Sequence, residues 1–347
     1  MDIKTKYLIR STIYSCILYL SKVFMKLSLI AWLIWFIKEI LLGLCRSKKR
    51  LDGKIILLTG GDSGIGYEVA KNLSTRGAIL IMAAKNIKKL QIARDKIAKF
   101  SGNEKILAMK LDLSSFQSVI EFSTEFKEIF NKIDYIINNA GIGVNLGSSF
   151  LGPKVISKKV YTPDGFEVMM QTNYISPFLL FDLLNDLLKD NSRLINVIHP
   201  FYLLAKLNAN IDLNMEETKY NPDVQFGNSK LALALFGQEM ARCHGIKSIN
   251  VIPGLCVRSH FYSHSHPLCR RILKFFAYFL GKNQWQASQS VVQSCLMSDQ
   301  SLQASSNPRV INDCRFSSFF WIHQKLKDEK LAKTLYDKTV DLLNQCQ

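Results

Sequence analysis

The stretch KIILLTGGDSGIG (54–66) decides the fold. Residues 54–59 are a short apolar run closed by Gly60 and Gly61, the pattern of a buried strand. Helical spacing begins at Gly64, so the glycines lie between a strand and a helix. Gly60 permits a tight turn, and Gly64 and Gly66 let backbone approach a pyrophosphate at the positive end of that helix. A bare glycine cluster is weak evidence, and a plain strand–helix turn is the alternative. The strand before it and the helix after it supply the context that a dinucleotide-binding turn requires.

The pattern repeats outward from there. AILIMA (78–83) is a second apolar run, followed by a Lys-rich amphipathic stretch over 87–100. KILAMKLD (105–112) and IDYIIN (133–138) flank a helical pattern at 116–130, and RLINVI (193–198) and SINVIP (248–253) complete the set. Short apolar runs alternating with helices predict a parallel sheet covered on both faces, and right-handed crossovers make it doubly wound. The expected class is α/β, a single Rossmann-type doubly wound parallel sheet over residues 51–320, with an N-terminal membrane-anchor helix. Lys85 stands 19 residues beyond Gly66, just past the second strand. A fold that prefers NAD places an acid near there for the ribose 2′-OH, whereas a cation suits a 2′-phosphate. NADP(H) is therefore favoured over NAD(H); an exposed lysine in a Lys-rich chain is the competing explanation.

At 347 residues, 48% hydrophobic and 21% charged, the chain is neither disordered nor fibrous. Its eight cysteines are irregularly spaced and form no CxxC, which fits reduced thiols in a reducing compartment. The net charge of +17 admits nucleic acid, a membrane surface or an anionic ligand. Residues 1–54 carry eleven Lys or Arg against three acids, with no zinc-finger, RNP or basic-zipper pattern, so no nucleic-acid partner is expected. The same region is apolar. Residues 27–45 are interrupted only by Lys38 and Glu39, and as a helix they reach about 28 Å, close to a bilayer core. The run begins too late for a signal peptide and lacks its cleavage site. A buried core helix is the other reading, but two Trp and basic borders look interfacial. Residues 1–50 are expected to anchor the chain in a membrane, spanning or monotopic, and Arg46, Lys48, Lys49 and Arg50 put the following domain on the cytosolic side.

The spacing TGxxxGIG (59–66), with Asn138-Asn139-Ala140-Gly141 after the fourth strand, resembles the short-chain dehydrogenase/reductase family over about residues 54–300. YTPDGFEVMMQTNYISPFLLFDLL (161–184) and GNSKLALALF (227–236) are similar to its retinol-dehydrogenase-like branch. GGDSGIGYEVAK and SKLALALF look closest to the X-linked dehydrogenase/reductase subgroup of polyprenol chemistry. The resemblance implies that Gly60, Ser63, Gly64, Ile65 and Gly66 hold cofactor phosphates. It implies that Asp112 meets the adenine amine, and that Asn139, Ala140 and Gly141 lie beside the nicotinamide ribose. Pro253-Gly254 matches the family's pair after strand six, although Arg258 takes the later Thr/Ser position. Asn173 and Lys230 match two members of the catalytic tetrad, and Lys230 would also bind ribose.

The other two members differ. His199 stands where a serine should follow strand five, and Phe226 stands where a tyrosine should precede Lys230 by four residues. Their separation of 27 residues keeps the family's spacing, so the register holds and the losses are real. Literal YxxxK also occurs at Tyr67–Lys71, Tyr202–Lys206 and Tyr278–Lys282, but none of these begins the SKLA helix. Phenylalanine neither gives nor takes a proton, and a positioned acid/base is worth roughly 10²–10⁴ in rate. The missing serine removes part of the carbonyl's stabilisation.

Three readings remain open: a degenerate oxidoreductase that binds NADP(H), an active one using His199 or water for proton transfer, and a membrane scaffold that binds no nucleotide. The glycine loop and Asp112 oppose the scaffold. A substrate lid is expected at about 255–290, within which residues 270–282 are either a membrane contact or lid, or an ordinary core helix. His260, His264 and His266, with Cys256 and Cys269, do not form a strong zinc pattern, and no metal is expected. Residues 321–347 form a polar helical tail. The resemblance further implies a retinoid-, sterol- or polyprenoid-like ligand, a homodimer through the helices carrying Asn173 and Lys230, and the endoplasmic reticulum.

Overall fold

The computed structural model describes residues 42–143, 159–208, 212–254, 256, 281–303, 305, 308–317 and 322–346, together with scattered helical positions between 19 and 36. Eight strands form one sheet in the order β3-β2-β1-β4-β5-β6-β7-β8. These are β1 Ile55–Thr59, β2 Ile79–Ala84, β3 Ile106–Lys110, β4 Ile133–Asn138, β5 Leu188–Val197, β6 Lys247–Ile252, β7 Val310–Asn312 and β8 Arg315–Phe316. All pairings are parallel except that of β7 with β8. The chain order reverses between β1 and β4, where an open α/β sheet forms a crevice at the carboxyl ends of its strands.

The strands are apolar on both faces because both are covered. Ile55 and Leu57 of β1 face one core; Ile56 and Leu58 face the other. On one side lie α1 (Gly64–Thr75), α2 (Ile87–Ser101) and α6 (Gln284–Leu296). On the other lie α3 (Phe116–Ile129), α4, α5 (Pro222–His244) and α8 (Glu329–Cys346). The helical run α4 comprises Val168–Met170, a π-helical turn Gln171–Ile175, and Ser176–Leu184. A short α7 (Asp299–Gln303) precedes β7. Asn86, Ser115, Asn221 and Asn283 cap α2, α3, α5 and α6 by accepting a backbone N–H two or three residues into the helix.

Each strand expected between residues 54 and 253 forms within a few residues of its sequence position. The largest shift is in β5, which begins at Leu188 rather than 193. The expected lid region ends inside α6, whose Val291 and Val292 are fully buried against the sheet. Residues 257–280, with the three histidines, Arg258, Cys269 and Tyr278, lie outside the described residues. The tail does form a helix, but not a free one. Leu331, Leu335 and Leu343 of α8 are buried, Thr339 Oγ1 is 2.7 Å from the Tyr174 hydroxyl, and Tyr336 packs on Phe178 with ring centroids 5.3 Å apart. α8 thereby covers one face of α4 and α5. Among the described residues no helix is long and apolar enough to cross a membrane.

Candidate active site

A cavity of about 560 Å³ opens at the carboxyl ends of the strands, at the β1/β4 switch point. One wall is the glycine turn. Gly60 has φ +70°, a conformation that glycine adopts without steric cost. A side chain at Gly66 would stand 2.0 Å from the Gly60 carbonyl oxygen, so the turn closes only over a glycine. Ser63 occupies the N-cap of α1 without a side-chain capping bond, which leaves first-turn N–H groups facing the cavity. This turn is tied to the loop after β4. Thr59 Oγ1 accepts the backbone N–H groups of Asn139 at 3.1 Å and Ala140 at 3.0 Å, and Asn139 Nδ2 donates to the Thr59 carbonyl at 2.9 Å.

Ile65, Lys85, Asp112, Ala140, Gly141, Pro253 and Gly254 line the same cavity. Lys85 lies just past β2 and is not a free cation. Its Nζ sits 2.8 Å from Asp112 Oδ2 and donates to Ser114 Oγ at 3.3 Å. Burial pushes the Asp112 carboxyl upward, but Lys85 and Ser114 outweigh it and hold the group below its ordinary value.

Asn173 and Lys230 meet beside Gly141: the Asn173 Oδ1 and the Lys230 Nζ each come within 2.9 Å of where a Gly141 Cβ would stand. Asn173 sits in the π-helical turn of α4, a local widening that recurs at functional sites. Its Oδ1 accepts from Ile142 N at 2.9 Å, and its Nδ2 donates to Ile142 O and Ser229 Oγ, each at 3.0 Å. Lys230, buried on α5, donates to the Val197 carbonyl at 3.3 Å, and burial pulls its ammonium down to about 8.

Phe226 is fully buried one helical turn before Lys230, packed with Met169 among Ile142, Val168, Phe201 and Tyr220. His199, at the end of β5, lines the cavity, its ring centroid 5.3 Å from that of Phe226. Its Nδ1 accepts from Phe201 N at 3.2 Å, so in the neutral ring the proton is assigned to Nε2. Burial, reinforced by the Lys230 charge, pushes the imidazole down to about 3, so the ring is neutral at physiological pH. Two of the stray YxxxK tyrosines lie in the described residues. Tyr67 belongs to α1, and the buried Tyr202 hydroxyl accepts from His323 N at 3.2 Å.

Glu167 lies in the stretch DGFE (164–167), where nothing in the sequence marks it for a role. Glu167 is completely buried, where its Oε2 accepts from Met170 N at 2.8 Å and its Oε1 from the Tyr220 hydroxyl at 3.1 Å. Burial raises its carboxyl above the usual range despite these bonds. It braces α4 against the segment leading into α5. Cys256, also buried, lines the cavity beyond Gly254. Among the described residues no group of three His, Cys, Asp or Glu is placed to hold a metal ion.

The short chain dehydrogenase family model matches residues 54–198. Human retinol dehydrogenase 11 is 31% identical over 307 residues, covering 87% of this chain and 89% of the relative. Bovine retinol dehydrogenase 12 is 30% identical over 306 residues, covering 87% and 90%. A crystal structure of an uncharacterized protein from Mycobacterium paratuberculosis shares the fold, with TM-score 0.58 and 24% identity over 86% of this chain and 97% of that one. Sheet order, glycine turn and relatives agree: the chain belongs to the short-chain dehydrogenase/reductase family, in its retinol-dehydrogenase-like branch.

Proposed function

We propose that this chain is a membrane-attached protein that binds NADP(H) in preference to NAD(H), related to oxidoreductases of lipophilic alcohols and carbonyls, with its own turnover impaired. The observation that carries this is a contrast at one cavity: the dinucleotide side keeps its glycine turn and cross-braces, while the reacting side is lined by a neutral His199 with Phe226 buried behind its ring. The first turn of α1 with Gly60, Ser63, Gly64, Ile65 and Gly66 would hold the pyrophosphate. Asp112 would meet the adenine, and Asn139, Ala140, Gly141 and Lys230 the nicotinamide ribose, with Pro253 and Gly254 closing the far wall. Lys85 would meet a 2′-phosphate by giving up a surface ion pair worth about 0–1 kcal/mol. A bound nicotinamide supplies or accepts a hydride. Reduction of a carbonyl also needs a proton, and Phe226 has none. His199, held neutral, is a hydrogen-bond donor through Nε2 rather than an acid at pH 7. Human retinol dehydrogenase 11 and bovine retinol dehydrogenase 12 are named for retinol, which supports a retinoid-like ligand here. The corresponding address is the endoplasmic-reticulum membrane, with the domain in the cytosol.

The test is a fluorescence titration of the full chain in detergent with NADPH and NADH, followed by a turnover assay with retinal. Tighter binding of NADPH and no measurable turnover are expected. Failure to bind either nucleotide overturns the proposal. Turnover at an ordinary enzyme's pace, about 1–10³ s⁻¹, overturns the impairment. It would favour instead an active oxidoreductase in which the His199 Nε2–H polarises the carbonyl and water supplies the proton. The Nδ1 bond to Phe201 is the observation behind that second reading.

A further inference from the structure

We infer that the edge of the sheet at which the cavity opens is the face turned toward the bilayer, held there by a strap formed by residues 43–51. The inference deepens the membrane-attached reading above and rests on it.

The strap begins at the cavity edge. Gly43 lies so close to the β7–β8 turn that a Cβ there would stand 1.7 Å from the Asp313 carbonyl oxygen. Cys314 Sγ donates to the Gly43 carbonyl at 3.4 Å. β7 runs parallel to β6 with Asn312 opposite Ile252, so the turn after β7 sits beside the Pro253-Gly254 that lines the cavity. A single side chain joins the two. Lys282 Nζ is 2.5 Å from Asp313 Oδ1, and its aliphatic carbons lie 3.1 Å from where a Gly254 Cβ would be.

The strap ends at the opposite edge. Leu51 N donates to the Arg76 carbonyl at 2.8 Å and Arg76 Nη1 to the Lys49 carbonyl at 2.8 Å, just before β1 and β2 begin. Eight residues at about 3.3 Å each span about 26 Å, more than the six-residue strand β2 at about 20 Å. The chain thus descends the full height of the sheet. Cys45 on the way packs against the core that contains α1 and α6.

Two observations say what lies beyond Gly43. Tyr19, Val23, Met25, Leu29, Trp32, Leu33 and Phe36, each at a helical position, are all exposed apolar side chains. Phe36 is seven residues before Gly43, a reach of at most about 25 Å. The chain reaches these side chains from the cavity edge, because Gly43 is seated there against Asp313, so that edge is the one joined to them. Independently, Trp285 in the first turn of α6 is 47% exposed, three residues after Lys282. An exposed tryptophan is the side chain that settles at a membrane–water boundary. A lipophilic ligand would then reach the cavity from the bilayer rather than through water.

The test uses the full chain in vesicles of 80% phosphatidylcholine and 20% phosphatidylserine. Trp32→Phe, Trp35→Phe and Trp321→Phe leave Trp285 as the only tryptophan. A second protein adds Trp285→Phe and Lys132→Trp, which moves the probe to the exposed loop before β4 at the opposite edge. Flotation first reports whether each protein is on the vesicle. Lipids brominated near the headgroup are then expected to quench Trp285 by at least twofold more than the probe at position 132. Equal quenching, or stronger quenching at position 132, with both proteins floating, overturns the orientation while leaving attachment intact. Failure to float overturns the membrane reading itself. Gly43→Leu, which cannot seat against Asp313, is expected to keep flotation and lose the difference between the two probes. If the difference persists in that variant, the strap is not what sets the orientation.

Discussion

Restoring the two absent tetrad side chains should restore turnover, and the cost is calculable. Phe226→Tyr adds one hydroxyl to a ring that is fully buried, with Met169, Ile142, Val168, Phe201 and Tyr220 around it. A buried hydroxyl without a partner costs about 1–3 kcal/mol. At roughly 2–4 °C per kcal/mol for a domain of this size, the melting temperature without nucleotide should fall by about 2–12 °C. Lys230, one turn along α5, and a bound ribose are the partners that would offset this, so NADPH should raise the melting temperature more in the variant than in the parent. His199→Ser removes a ring that packs 4.9 Å from Phe201 and 5.3 Å from Phe226. It keeps an oxygen suited to the N-cap role that His199 now performs for residues 200–204. The double variant should gain about 10²–10⁴ in single-turnover reduction of retinal by NADPH in mixed micelles, or about 3–5 kcal/mol of barrier. A double variant that folds, binds NADPH as the parent does and shows no gain refutes the reasoning that the missing phenol and hydroxyl limit this site.

Three further outcomes are expected. Gly66→Ala places a methyl 2.0 Å from the Gly60 oxygen and 2.5 Å from Asn139 Nδ2; it should abolish NADPH binding and destabilise the fold by about 1–3 kcal/mol, and unchanged titration and melting curves would contradict the turn geometry. Lys85→Asp should weaken NADPH at least about tenfold, the value of one charge-assisted bond, while sparing NADH; an equal loss for both nucleotides would remove Lys85 from 2′-phosphate recognition. His199 should show no titration by NMR between pH 5 and 8. Its folded value lies below the unfolded one, so its contribution to stability is present above about 6.5 and is lost as pH falls from there toward about 3, at most about 5 kcal/mol; a midpoint near 6.5 would show the ring to be solvated.

The sheet was legible because parallel strands buried on both faces are apolar throughout, and six of the eight strands carry such a run. β7 and β8 were not, since three and two residues hold no periodic signal. α8 reads as a polar tail because Leu331, Leu335 and Leu343 are spaced among lysines and acids, and only their packing on α5 reveals the buried stripe. At the site, the glycine turn, Lys85, Asp112, Lys230 and His199 line one cavity, while Asn173 and Phe226 lie buried behind its wall on α4 and α5. The ion pair that engages Lys85 was invisible, because Asp112 lies 27 residues away in sequence. So was the protonation state of His199, which depends on desolvation and on a neighbouring ammonium rather than on residue type. The π-helical turn leaves no trace in QTNYI (171–175), whose residues suit an ordinary helix equally well.

α8 contributes nothing to the lining of the cavity, yet it closes the core over α4 and α5. Without it the aromatic surface of Phe178 and Tyr174 on α4 has nothing to pack against from α8 and is open to chaperones or to other nascent chains. The glycine turn can form early, but the wall behind the site is complete only once this later segment has docked. A stop codon just before residue 329 would leave the whole cavity encoded and its supporting wall missing, so such a truncation should yield protein that is degraded rather than merely shortened.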